Sequence, residues 1–306
     1  MSSLRAFYGQ IQEILDQRGT FQFTLPQSTN GKVSFDTFID AIVLLRSNVT
    51  WDQLSAISRA GVGERQCRKN FYAVAEVIQQ FSTLLAPPQD RLNDCAKNLP
   101  YVTALLDGSP IPCRMRGGDH TTKKGKKTIK NWCTKYKFRC VKVEMWVSLQ
   151  GKPLAFRGPI HGVRHDMQFW KEPIPFPHFR TEHFLADHGY WGKTPHTLLP
   201  FKKIEVEGKA PIHPGAKPTL RRYWNKVHSL YRSRVERCFA WWTAWKFTQQ
   251  CNHGELWLRM AMHIMVAVQH FIMVIEEHRP YDDIMDDGRL WGSASHHPMC
   301  TCDGQR

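Results

Sequence analysis

Two apolar runs in this chain stop on an aspartate and turn at once. They are YVTALLDGSP at residues 101–110 and HFLADHGYWG at 183–192. A strand ending this way either meets an ordinary turn, for which Asp is well suited, or holds a carboxylate at the edge of a sheet. The intervening sequence favours the sheet. In CVKVEMWVSL, Val141, Val143, Met145, Val147 and Leu149 point one way and Lys142, Glu144, Trp146 and Ser148 the other, which predicts a half-buried strand. LQGKPLAFRG then supplies a tight turn and a partner strand, and HDMQFWKE can begin a short helix. Further on, Leu220, Tyr223, Trp224, Val227, Leu230, Tyr231, Val235, Cys238, Phe239 and Trp242 trace the stripe of a long helix. That helix carries Glu236, with the small residues Ser233 and Ala240 at i−3 and i+4. The order strand-Asp, hairpin, strand-Asp, helix-Glu predicts an α/β fold: a mixed five-stranded sheet flanked by helices that brings Asp107, Asp187 and Glu236 together.

Each acid alone reads more simply. Asp107 precedes Gly108, Asp187 precedes His188-Gly189, and Glu236 has Arg232 at i−4, a surface ion pair of little worth. Their joint placement carries the stronger reading. Three gathered carboxylates repel one another unless a cation sits between them, and an oxygen-only donor set favours Mg²⁺ or Mn²⁺. Two such ions, about 3.5–4 Å apart, can activate a nucleophile and clamp a phosphodiester. Charge agrees with a polyanionic substrate. Lys and Arg number 42 against 27 Asp and Glu, a net charge of +15, which favours nucleic acid as partner.

Residues 34–81 predict three helices. Phe35, Phe38, Ile39, Ile42 and Leu45 form the first stripe, broken at Asn48. Thr50 and Gln53 make a capping-box pattern, so a second helix should start there and stop near Ala60-Gly61. In the third, from about Glu64 to Phe81, Cys67, Phe71, Val74, Ile78 and Phe81 share one face. Arg65, Arg68, Lys69 and Tyr72 fall on another, as candidates for DNA contact. A short helix, a Gly-containing turn and a second helix with basic residues near its start is the helix-turn-helix plan. The three prolines of LLAPPQDRLNDCAKNLP, 84–100, read as a linker, with a boundary near 96. The expected organisation is a helix-turn-helix domain over 1–95, a catalytic domain over 96–280 and a tail over 281–306.

LLDGSPIP, GPIHGVRHDMQFW, FLADHGYWG, LLPFKK and WNKVHSLYRSRVERCF, in that order, resemble the DDE superfamily of transposases, and most of all its PIF/Harbinger-type endonuclease domain. The resemblance spans roughly residues 100–275. It implies an RNase H-like fold in which Asp107, Asp187 and Glu236 are the catalytic, metal-holding acids, with His165 and Asp166 in support. It also implies two Mg²⁺ or Mn²⁺ ions, hydrolysis of a strand of double-stranded DNA at an element's end, and attack of the freed 3′-hydroxyl on target DNA. A homo-oligomer suits a reaction that joins two ends, and a separate DNA-binding partner protein is compatible with it. The other class of function is a descendant retained by its host that binds DNA or protein without cutting.

Lys123, Lys124, Lys126, Lys127 and Lys130 form a charge run that suits phosphate tracking or nuclear import, and a nuclear location is expected for a eukaryotic source. Arg232 and Arg234 are candidate contacts to the DNA backbone. His161, His165, His183 and His188 invite a zinc hydrolase, but their spacing matches no zinc pattern, and neither does the tail's His296, His297, Cys300 and Cys302. Nine cysteines without a paired framework suit a reducing compartment. Leu256–Ile275 is the most apolar stretch, yet Arg259, His263, Gln269 and His270 interrupt it, so a buried helix is expected and no membrane.

Overall fold

The computed structural model describes residues 5, 8–9, 34–82, 88–93, 95–96, 99–114, 119–121, 127–129, 131–190, 196–202, 218–251 and 253–275. Three helices open the chain: α1 (Phe35–Ser47), α2 (Trp51–Ile57) and α3 (Glu64–Ser82). Ser34 caps α1 through the Thr37 N–H, and Asn48 closes it in the left-handed conformation. The capping box of Thr50 and Gln53 starts α2, as expected. That helix ends at Ile57, before the expected Ala60-Gly61, because tertiary hydrogen bonds replace helical ones. The Ser58 hydroxyl and the Arg59 and Ala60 N–H groups all donate to the buried Asp40 carboxylate, at 2.5, 2.9 and 3.3 Å. Gly61 then takes the left-handed turn, with φ +63°. Within the linker, α4 (Pro88–Asn93) sends Arg91 into a buried ion pair with Glu182.

The sheet follows. β1 (Val102–Pro112) pairs antiparallel with β5 (Phe138–Val147), and β5 pairs antiparallel with β6 (Pro153–His161). On its other side β1 pairs parallel with β7 (His183–Leu185), which pairs parallel with β8 (Thr197–Leu198). The order β6-β5-β1-β7-β8 is the mixed five-stranded sheet expected, extended by β4 (Trp132–Cys133) against the start of β5. Between β1 and β4, β2 (Asp119–Thr121) and β3 (Lys127–Ile129) make a separate antiparallel ribbon. Helices α5 (Pro218–Trp242), α6 (Lys246–Gln249) and α7 (Glu255–Ile275) complete the fold.

Two sequence expectations change here. β1 does not turn at Gly108 and Pro110. It runs on through both, opposite Glu144 and Lys142 of β5. β7's register with β1 ends at Leu105, so at Pro110 β1 pairs with β5 alone, and a proline is tolerated at such an edge. The second change concerns β5, which is buried on both faces. Val141, Val143, Met145 and Val147 join the large core under α5 and α7, whereas Trp146 joins a smaller core with Phe176, Phe184, Ala186 and Tyr190. The alternation predicted a solvent face because it could not foresee the segment around Phe176 folding over it.

One hydrophobic cluster runs from Phe38 in α1 to Phe271 in α7 and so crosses the expected boundary near 96. Phe71 of α3 stacks on Trp257 of α7, with ring centroids 5.5 Å apart. Helix α7 is long and apolar enough to cross a membrane, but Leu258, Ala261, Met262, Ile264 and Met265 are fully buried against the rest of the chain, as a core helix requires.

Two buried histidines tie this core to pH. The His228 Nε2–H donates to the Ala186 carbonyl at 3.0 Å, and the His270 Nδ1–H to the Pro153 carbonyl at 2.8 Å. Burial, the dominant cause in both, pushes their pKa values down to about 4. Unfolded histidine titrates near about 6.5, so between these values the unfolded chain binds more protons. Stability is therefore present above about pH 6.5 and falls as pH drops towards 4, by at most about 3 kcal/mol per residue. Glu144, whose carboxyl burial raises to about 7, acts in the opposite sense over the same range, so the test is a difference: between these limits in EDTA the thermal midpoint of His270→Gln should fall less than that of the wild type, and an equal fall would contradict the burial of that ring.

Candidate active site

The β1–β7 register builds the site. Leu105 pairs with Leu185, in parallel. Two residues further along each strand direction stand Asp107 and Asp187, on the same face, because side chains in strands repeat every second residue. The two carboxylates therefore emerge side by side on the face covered by α5. Each has one oxygen held by the backbone just downstream. The Gly108 N–H donates to Asp107 Oδ1 at 2.8 Å and the Gly189 N–H to Asp187 Oδ1 at 2.7 Å. Gly189 lies in the 3₁₀ turn His188–Tyr190, and its lack of a side chain is required: a Cβ there would stand 2.8 Å from Asp187 Oδ1.

Asp166 closes on the same place. It opens the 3₁₀ helix Asp166–Lys171, and its carboxylate lies against both glycines. A Cβ on Gly108 would meet Asp166 Cγ at 3.4 Å, and one on Gly189 would meet Asp166 Oδ2 at 3.5 Å. Lys142 Nζ, which sequence reasoning passed over, donates to Asp166 Oδ1 at 3.1 Å and to the Arg164 carbonyl at 2.7 Å. His165 is exposed at the cap position of this helix and makes no side-chain cap bond.

From α5, Arg232 Nη2 donates to Asp107 Oδ2 at 2.5 Å, with both side chains about four-fifths buried. Burial pushes the Asp107 carboxyl up, Arg232 pulls it back, and the charge of Asp187 raises it again. A second carboxylate close enough to raise the first marks two acids that share one site. Glu236 stands one helical turn past Arg232 and is exposed. Among the described residues, no three His, Cys, Asp or Glu side chains lie close enough to hold one ion, so the structure joins Asp107 to Asp187 and does not gather Glu236 with them. Two carboxylates at one rim still form a hard, all-oxygen donor set. They fit Mg²⁺ or Mn²⁺, since Mg²⁺ commonly takes one or two carboxylates and completes its shell with waters and substrate phosphates.

Beneath the site lies a polar network that sequence reasoning did not find. Glu144 is fully buried, and its Oε1 accepts from Arg157 Nε at 2.5 Å and from Trp146 Nε1 at 2.7 Å. Tyr190, three residues past Asp187, sets its buried hydroxyl against Glu144. Burial pushes the Glu144 carboxyl up to about 7, with Arg157 opposing the rise. The signal available in the sequence was a Glu at an alternating position of one hairpin strand and an Arg on the other.

The candidate DNA contacts are dispersed. Arg65, Arg68 and Lys69 are exposed on the first turns of α3, and Tyr72 is half-buried. Arg68 pairs with Glu64 at 2.5 Å and lies over the Trp51 ring. Arg234 donates to the Leu149 carbonyl and covers Tyr231, so it serves as a brace between α5 and the β5–β6 turn. Lys127 begins β3, whereas Lys123, Lys124, Lys126 and Lys130 lie outside the described residues, as does the tail's Cys/His group. Of the histidines considered for zinc, His161 contacts Asn131 and His183 contacts the Thr181 carbonyl.

A mixed sheet in which two adjacent parallel strands deliver aspartates to one rim, with a helix laid across them, is consistent with an RNase H-like nuclease. Residues 106–271 match the DDE superfamily endonuclease family, and the chain belongs to that family. It is also similar to a protein named as a transposase for insertion sequence element IS112 of Streptomyces albus G. The two are 27% identical over 208 residues, which cover 68% of each chain. No solved structure matches the chain.

Proposed function

We propose that this protein is a metal-dependent DNA endonuclease of the transposase type, which cuts a strand at an element's end and transfers the freed 3′-hydroxyl to target DNA. The observation that carries this reading is the register-locked pair Asp107 and Asp187 within a DDE endonuclease family match. In this reading Asp107 and Asp187 hold the divalent cations and Glu236 is the third acid. When bound, the ions polarise the scissile phosphate and activate the attacking oxygen. Gly108 and Gly189 fix the carboxylates by their N–H groups. Asp166, held by Lys142, borders the pair and limits how far either can swing. The PIF/Harbinger subtype, a dimeric assembly, a separate DNA-binding partner and a nuclear location extend the same proposal.

Helices α2 and α3 serve in this reading as the helix-turn-helix, with Arg65, Arg68, Lys69 and Tyr72 towards double-stranded DNA. Lys123, Lys124, Lys126, Lys127 and Arg232 add backbone contacts, and Arg234 does so only if it leaves Leu149. DNA binding should then weaken steeply with salt. Contact with about six phosphates predicts a loss of roughly a thousandfold between about 50 and 200 mM salt. Binding that stays flat across that range would remove the basic-surface reading.

A second reading is favoured by one observation: Arg232 neutralises Asp107 while Glu236 stands apart. A protein that binds DNA without cutting would tolerate that state. Nicking of supercoiled plasmid in Mn²⁺ or Mg²⁺, with EDTA as control, separates the two. Metal-dependent nicking supports the endonuclease, and DNA binding with no nicking supports the non-cutting protein.

A further inference from the structure

We infer that Arg232 is a built-in stand-in for the metal cation: its guanidinium occupies the Asp107 carboxylate and must leave before an ion can bind there. The inference rests on the reading of Asp107 and Asp187 as metal ligands. Two neighbouring carboxylates, one of them largely buried, cannot both stay charged without a nearby cation. Arg232 supplies that cation from α5 at 2.5 Å. Its position is costly in another respect, since Arg232 Nε is buried with no hydrogen-bond partner. With Nη2 on the carboxylate and Nε without a partner among the described residues, the guanidinium takes its polar compensation from the charge it faces. Removing that reason, by neutralising the carboxylate with a metal ion, leaves the side chain free to turn out of the site.

Helix geometry gives the exchange a direction. Arg232 and Glu236 are one turn apart on α5, so they lie on neighbouring parts of one helix face. Glu236 is exposed, and Arg232 stands in the place between the strands and the helix. Departure of the guanidinium opens the approach of Glu236 to the aspartates. The metal-free and metal-loaded sites are thus alternative partners of Asp107, and Arg232 is a positioning residue that competes with the ion.

Competition makes a sign prediction that a merely supportive role does not. Mn²⁺ binding to the full-length protein, followed by calorimetry without DNA, should tighten by about tenfold in Arg232→Gln, the scale on which a single partly buried ion pair shifts an equilibrium. Arg222→Gln removes an equal charge from an exposed position of the same helix, and should change Mn²⁺ affinity by less than about twofold, as a charge held at greater distance is better screened. Melting in EDTA and in Mn²⁺ gives a second readout: Arg232→Gln should gain more from the metal than the wild type does. Unchanged or weaker Mn²⁺ binding in Arg232→Gln, or an equal gain in Arg222→Gln, overturns the inference while leaving the metal site standing. Absence of Mn²⁺ uptake in wild type and Arg232→Gln alike removes the metal site itself, and the inference with it.

Discussion

Asp187→Asn is expected to lower metal-dependent nicking by about a thousandfold, the scale lost when a group that stabilises developing charge is removed from a preorganised site. Asparagine keeps the size of the side chain and can still accept from the Gly189 N–H. What it loses is the charge that holds a cation. Asp107→Asn should behave alike, and the double variant should be little worse than either single one, because residues acting as one unit are not additive. Folding gives an internal control. The charge of Asp187 raises the Asp107 carboxyl, so neutralising Asp187 relieves that repulsion and should not lower the melting temperature in EDTA. Full nicking by a folded Asp187→Asn protein would sink the assignment.

Arg91→Ala is the second large effect, and it acts on stability. Arg91 grips Glu182 with two nitrogens, Nε to Oε2 at 3.1 Å and Nη2 to Oε1 at 2.9 Å, and both side chains are almost fully buried. Its Nη2 also reaches the Pro177 carbonyl at 2.7 Å. Truncating it leaves Glu182 fully enclosed, with the Thr103 hydroxyl at 2.6 Å and the Phe179 N–H at 2.8 Å as the remaining partners of its side chain among the described residues. A buried charge stripped of its partner costs about 3–5 kcal/mol, whereas replacing both partners by apolar residues of similar volume is often nearly neutral. Urea unfolding of Arg91→Ala, compared with Arg91→Met/Glu182→Leu, measures both. A loss below about 1 kcal/mol in the single variant would show that the pair does not fasten the linker to the sheet.

That pair also shows what patterning cannot see. LLAPPQDRLNDCAKNLP has the prolines and mixed polarity of a connector, and α4 is indeed short. Its one decisive residue is an arginine whose partner lies 91 positions away. The core that runs unbroken from α1 to α7 has the same origin: composition suggests a boundary, while Phe71 on Trp257 joins the two sides. The pairing of Glu144 with Arg157 likewise depends on the hairpin register, and alternation had set Glu144 on the face away from the core.

Local features were legible because local physics makes them. The Thr50 capping box, the left-handed Gly61, the stripe of α3 and the hairpin from β5 to β6 all depend on neighbours a few residues apart. The apolar runs leading into Asp107 and Asp187 could likewise be read from the chain, together with the family blocks around them, although β1 itself runs on past Asp107. Only the tertiary structure decided that the two aspartates share a rim, because their meeting depends on the parallel register of Leu105 with Leu185. It alone also decided that Arg232, and not Glu236, faces Asp107, because a helix can be read from its own stripe but its rotation and height over a sheet are set by packing against residues far away in sequence.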